Sequence, residues 1–150
     1  MAVKHAGYKY RIYPNDNQIV LFNKTFGCVR FVYNKLLSDK VDYYEQNKKS
    51  LKTTEAHYKK DSELFFLKEV DSLALMNARL HNEAAFERFF KKKSKFPKYH
   101  KKGKCKDSYT TNNQKSGKNG QTIELTEKGL KLPKVGVVKI KLHKPLRRNY

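Results

Sequence analysis

Acidic side chains are scarce in this sequence: 14 Asp and Glu stand against 34 Lys and Arg, a formal net charge of +20 over 150 residues. Such an imbalance selects polyanionic partners, nucleic acid first among them. An anionic membrane surface or a ribosome-like assembly would also suit the charge, so its sign alone does not choose. Cysteine is nearly absent too. Cys28 and Cys105 lie far apart with no C-x-x-C pair, which indicates neither a zinc ribbon nor a disulfide framework and makes a reducing compartment the default. No run of about 18 apolar residues could span a bilayer, and the N-terminus lacks the apolar core of a signal peptide. A soluble cytoplasmic protein is expected.

Patterns that carry catalysis are missing as well. His5, His57, His81, His100 and His143 are scattered, with no pair at metal-binding helical spacing. Glu69 with Asp71, and Asp61 with Glu63, are two apart, which sends them to different faces of a helix. No nucleophile elbow, Gly-rich phosphate loop or local Cys–His signature occurs. These residues give no argument for catalysis within the chain. Its length fits one domain, or one domain with an insertion, around a modest core.

What is present is a skewed charge. Residues 1–85 hold 14 basic and 10 acidic side chains, whereas residues 86–150 hold 20 and 4. The density peaks in "KKKSKFPKYHKKGKCK", Lys91 to Lys106, where Phe96 and Tyr99 sit among the lysines. That combination offers backbone contact and base stacking in one segment. A solvated, partly disordered basic loop is the alternative.

Periodicity gives the elements. "GYKYRIYP" alternates from Gly7 and is closed by Pro14, a first strand. Asn15 and Gln18 have capping-box spacing, so a helix begins there. Ile19, Phe22, Phe26, Val29, Tyr33 and Leu36 form its apolar stripe, which weakens through Val41 and Tyr44. Gly27, inside the stripe, marks a kink, a helix–turn–helix corner or a close contact. Thr53 or Thr54 can cap the next helical stretch. A second long helix is expected over Leu64–Phe90, with Val70, Leu73, Met76, Leu80 and Ala84 as its stripe and Leu67, Ala74, Ala78, Ala85 and Phe89 widening it.

Asp107–Gln121 reads as an extended polar loop. Ile123 and Leu125, the turn "TEKG", then Leu130 and Leu132 make a hairpin with Gly129 at a positive-φ position. Pro133–Gly136 turns into a last strand in which Val138, Ile140 and Leu142 alternate with Lys139, Lys141 and His143. A lone N-terminal strand must pair with these C-terminal strands and leave the helices as an insertion, an α+β unit.

Six blocks occur in the order found at the N-terminus of the TnpB/OrfB-type transposases of bacterial insertion sequences: "YKYRIYPNDNQ", "NKTFGCVRFVYNKLL", "LKEVDSLALMNARLHNEAAFERFF", "KFPKYHKK", "DSYTT" and "KLPKVGVVKIKLHKPL". The chain resembles that family over nearly its whole length. Members are similar to RNA-guided DNA endonucleases. The resemblance implies a wedge-type, OB-like partial barrel from residues 1–14 and 93–150, interrupted by a helix-turn-helix-like recognition insertion over 15–92. It implies DNA and structured RNA from the element's 3′ end as partners, nucleoid association when bound to DNA, and no membrane.

The family's magnesium-dependent RuvC-like nuclease and its zinc ribbon are expected beyond this chain. No cofactor is then expected within it, and it is not an enzyme by itself. A premature stop or a frame interruption would explain such a chain, the latter with a separately encoded C-terminal half as partner. A stand-alone structural or regulatory RNA-binding protein is the other reading.

Ser72, Met76 and Asn77 resemble positions on the family's DNA-facing helix, although Met76 also suits the core, and glutamines are common there in the family. Phe66 stands where the family commonly has tryptophan. Lys95, Lys98, Tyr99, Lys101 and Lys102, then Tyr109 and Thr110, then Lys9, Lys139 and Lys141, suit nucleic-acid contact, the lysines by phosphate. Arg11 and Arg30 suit bidentate contacts, or internal ion pairs with Asp16 or Glu69.

Overall fold

Chain order in the computed structural model is β1 (Arg11–Tyr13), α1 (Asp16–Asn47), α2 (Glu55–Lys59), a 3₁₀ segment (Ser62–Glu69), α3 (Ser72–Phe90), β2 (Lys115–Ser116), β3 (Gly120–Gln121), β4 (Glu124–Thr126), β5 (Gly129–Leu132) and β6 (Gly136–Lys141). The structure describes residues 3–116 and 120–141. The expected positions Leu142 and His143 lie outside them.

The first and last strands pair, as the lone N-terminal strand requires. β1 runs antiparallel to β6 with Ile12 opposite Ile140, and the sheet order is β1-β6-β5-β4. β2 and β3 form a separate small hairpin. The helices are therefore an insertion between neighbouring strands, an α+β arrangement. Among the described residues the sheet is open, with β1 and β4 at its edges.

The β4–β5 hairpin turns at Glu127 and Lys128, with Thr126 opposite Gly129. Gly129 has φ 147°, and a Cβ there would lie 2.2 Å from the Val138 carbonyl oxygen. Glycine is required both by its dihedral and by the close approach of β6. Val138 is fully buried at that crossing.

α1 starts as its sequence dictates. Asn15 Oδ1 accepts from the Gln18 amide at 2.9 Å, and Gln18 Oε1 accepts from the Asn15 amide at 2.9 Å, a complete capping box. The Gln18 side-chain Nε2 also donates to the Val137 carbonyl at 2.8 Å, tying the helix start to β6. Gly27 breaks nothing: the helix passes through it, and only Arg30 Nη2, at 4.0 Å, approaches the position of its absent Cβ. The helix ends where Lys48 turns left-handed at φ 56°.

Burial on α1 is wider than one stripe. Thr25, Cys28, Val32, Leu36 and Leu37 are buried beside Phe22 and Tyr33, whereas Ile19 is 43% exposed. The reason is that α1 is covered from two directions. Cys28, Val32 and Leu36 pack with Tyr58, Leu67, Val70, Leu75 and Ala78 of the following elements. Each fully buried leucine contributes about 1.5–3 kcal/mol.

The expected Leu64–Phe90 helix is two elements. Asp71 interrupts it: its carboxylate accepts from the Leu73 amide at 2.9 Å and caps α3, and Leu64 (φ −105°) departs from helical geometry in the 3₁₀ segment. The buried face of α3 is Ala74, Leu75, Asn77, Ala78, Asn82 and Ala85, so Leu80, expected inside, is exposed. Small alanines let α1 approach closely, and Asn82 enters the interface because its amide finds partners, the Tyr33 carbonyl at 3.3 Å and the Lys40 ammonium at 2.5 Å.

Candidate nucleic-acid interface

Register sorts the sheet into two faces. Residues directly opposite in an antiparallel pair share a face, so Ile12, Ile140, Val138 and Leu130 lie on one side and Arg11, Tyr13, Lys131, Lys139 and Lys141 on the other. Arg11 stands opposite Lys141, and Tyr13 opposite Lys139. The Arg11 guanidinium also lies 5.8 Å from the centre of the Tyr13 ring. A basic surface with an aromatic ring in it results.

The Lys91–Lys106 segment is the second basic surface. It leaves α3 through a left-handed Lys92 (φ 58°), with the Lys92 amide bonded to the Phe89 carbonyl at 3.0 Å and the Lys93 amide to the Arg88 carbonyl at 2.9 Å. This is a Schellman end with lysine where glycine is usual. Phe96 then packs edge-on against Phe86 and Phe89, with ring centres 5.6 and 5.1 Å apart.

Next, the Asn34 side chain grips the His100 backbone on both sides, donating to its carbonyl and accepting from its amide at 2.8 Å each. The His100 ring stacks on Tyr33 at 3.9 Å with planes 9° apart. Burial, then the nearby His81, lowers the His100 pKa below its ordinary value. The segment is a strap pinned to α1 and α3, not a disordered loop.

Between these pins the charges point outward. Lys95, Lys98, Lys101 and Lys102 are exposed, and among the described residues none of them has a salt-bridge partner. No acidic residue occurs between Arg88 and Lys106. Apolar and hydrogen-bonded anchors meet the entropy of ordering the strap before any ligand arrives.

The 107–114 loop is also built in place. Asp107 pairs with Arg30, which answers the expected partners: Arg30 meets neither Asp16 nor Glu69, and Glu69 pairs with Lys24 at 3.6 Å. Tyr109 packs against Phe22 and Phe26, with ring centres 6.2 and 5.8 Å away. Burial and then the Asp71 charge push its hydroxyl up to about 12. Asp71 also accepts from the Thr111 hydroxyl, and Asn77 donates to Asn112 Oδ1 at 3.2 Å and to the Leu73 carbonyl at 2.9 Å.

The expected site residues thus divide. Arg11, Lys139 and Lys141 are exposed along the sheet side, Lys9 is exposed ahead of β1, and Lys95, Lys98, Tyr99, Lys101 and Lys102 are exposed along the strap. Ser72 and Thr110 are exposed and Met76 is half-buried. Arg30 and Asn77 hold the loop on the helices through their polar groups, and Tyr109 does so through its ring. Asn34, Tyr33 and Lys40 also support the strap. Asn34 carries no signal in a helical pattern, because its partner is sixty-six residues away.

A cavity of about 240 Å³ lies under the strap, lined by residues including Arg30, Tyr33, His81 and His100. It is below the ~300–1,000 Å³ of ordinary small-molecule pockets. Among the described residues no three of His, Cys, Asp and Glu gather as a metal site. No described helix is long and apolar enough to cross a membrane.

Residues 1–49 match the helix-turn-helix domain of the IS605 OrfB type. These residues contain β1 and the unbroken α1, so the turn toward the next helix comes at Lys48, the end of the match. Virulence protein VsdF of Salmonella dublin is 35% identical over 108 residues, covering 63% of this chain and 91% of that protein. A provisionally named RNA-guided DNA endonuclease of Streptomyces pristinaespiralis is 44% identical over 115 residues, covering 72% of this chain and 28% of the relative.

The chain belongs to the TnpB/OrfB transposase family.

A second relative of the same provisional name, InsQ of Escherichia coli K12, is 26% identical over 101 residues, covering 64% of this chain and 25% of InsQ. The chain thus spans about a quarter of the length of the two endonuclease relatives and corresponds to the N-terminal region of a TnpB/OrfB protein.

Proposed function

We propose that this TnpB/OrfB region is a nucleic-acid-binding unit without nuclease chemistry of its own, which engages DNA and a structured RNA chiefly through their phosphates. The strap supports this reading most strongly. Its lysines are exposed, uncompensated by acid and held in place by Phe96 and His100. Lysine phosphate contacts position a ligand without reading sequence.

In this reading Lys95, Lys98, Lys101 and Lys102 track one backbone, and Arg11, Lys139 and Lys141 on the sheet track another stretch, with Lys9 beside them. The open sheet is the core of an OB-like wedge. Ser72, Met76 and Thr110, near the loop that Arg30, Asn77 and Tyr109 hold, approach the DNA duplex. Any nuclease step belongs to residues of the family outside those matched here.

Affinity for RNA from the 3′ end of the encoding element, against an unrelated RNA of equal length across a salt series, tests the proposal. Both should weaken with a log–log slope of about −0.7 per phosphate contacted on single strands, and the element RNA should keep an advantage at high salt. Equal affinities that vanish together would reduce the role to nonspecific charge, and no binding to either would reject it.

The near-complete coverage of VsdF favours a second reading, in which a unit of this size works on its own as an RNA-binding regulator. Such a unit would bind its RNA without any nuclease polypeptide present.

A further inference from the structure

Four phenylalanines gather where α3 ends and the strap begins. Phe86 and Phe89 form the floor, and Phe96 stands edge-on to both, at 89° and 86°. Phe90 lies 6.3 Å from Phe86 at an interplanar angle of 27° and 5.5 Å from Phe89 at 60°. Lys40 adds support, its ammonium 4.9 Å from the centre of the Phe86 ring. The upper two rings remain open to solvent, Phe90 being 69% exposed and Phe96 45%.

Rings left in water forgo the stabilisation that burial would bring. Here the neighbouring rings also fix their orientation, so each offers a rigid aromatic surface at little further entropic cost. The surroundings identify the occupant. Lys91, Lys92, Lys93 and Lys95 flank the rings, Glu87, the nearest acid in sequence, is paired with Lys91 at 2.7 Å, and no other acid occurs before Asp107. An apolar protein surface would leave Lys92, Lys93 and Lys95 unmatched. A polyanion that also carries planar apolar groups matches both features.

We propose that Phe90 and Phe96 are a base-stacking platform for single-stranded nucleic acid, whose unpaired bases lie on the rings while the flanking lysines meet the phosphates. A base-paired duplex keeps its bases stacked internally and cannot use the rings. The inference rests on the nucleic-acid-binding reading above but goes beyond phosphate contact to the bases themselves.

The test compares wild-type chain with Phe90→Ala and Phe90→Tyr on three probes of equal length: a thymidine oligonucleotide, its abasic analogue and a duplex. Phe90 is mostly exposed, so the alanine variant should keep the wild-type melting temperature. Stacking on aromatic side chains contributes about 1–3 kcal/mol per base, so Phe90→Ala should lose about 5-fold or more on the thymidine strand, at unchanged salt slope. It should lose nothing on the abasic strand or the duplex, and Phe90→Tyr should bind like wild type.

Equal losses on all three probes, or none, would overturn the platform while leaving phosphate binding intact. A change of oligomeric state in Phe90→Ala without a change in affinity would reassign the rings to self-association. Failure of the wild-type chain to bind any probe would reject the platform together with the reading beneath it.

Discussion

Arg11 and Lys141 face each other directly across the β1–β6 pair. Like charges directly opposite in a sheet are destabilising, and Lys139 lies two residues away on the same face. A polyanion against that face converts repulsion into attraction.

Lys141→Gln should therefore leave the free protein as stable as before, or more stable by up to about 1 kcal/mol. Its nucleic-acid affinity should fall, with a salt slope shallower by about 0.7–0.9. Chemical denaturation and a salt titration on the same sample measure both. Lower stability with an unchanged slope would place Lys141 in a structural role.

Lys92 should behave in the same divided way. Its left-handed backbone (φ 58°) costs a non-glycine residue about 1 kcal/mol. Lys92→Gly should raise the unfolding free energy by roughly that amount while weakening binding to the strap. A variant that loses stability would show that the lysine side chain itself holds the Schellman end.

Gly129 admits no such exchange. With a Cβ 2.2 Å from the Val138 carbonyl oxygen, Gly129→Ala should destabilise by more than about 1 kcal/mol and loosen β5 from β6. Amide exchange at Val138 and Lys139 would report it. Wild-type protection there would mean that the strands can separate without penalty.

The strap should respond to pH. Burial favours neutral His100 and lowers its pKa from 6.5, so between the lowered value and 6.5 the unfolded state binds more protons than the folded one. Anchoring by His100 is thus fully present above about 6.5 and is lost as pH falls below it. Magnetic resonance of the His100 and Tyr33 rings should find one shared midpoint below 6.5, moved upward by Asn34→Ala. A His100 midpoint above 6.5 would contradict the stack on Tyr33.

Much of this was legible in the sequence. Alternation in Val138–Lys141 placed the lysines on one face, Asn15 and Gln18 marked the start of α1, and the single strand before the helices demanded a partner from the C-terminus. Local chemistry decides each of these. The break at Asp71 was hidden because an acid inside an apolar pattern reads as an exposed helical residue until its cap and its bond to Thr111 are seen.

Burial of Asn82 and exposure of Leu80 depend on how closely the alanines let α1 approach, which no single-helix period contains. The grip of Asn34 on His100 and the docking of Tyr109 on α1 are long-range relations. They turned an apparently loose basic run into a strap.

The most direct test of phosphate binding by these two surfaces is acylation footprinting of lysines in the free chain and in complex with single-stranded RNA. Lys95, Lys98, Lys101, Lys102, Lys139 and Lys141 should be protected on binding, while Lys59, Lys60 and Lys68 stay reactive. Uniform protection, or protection confined to the second group, would contradict the account.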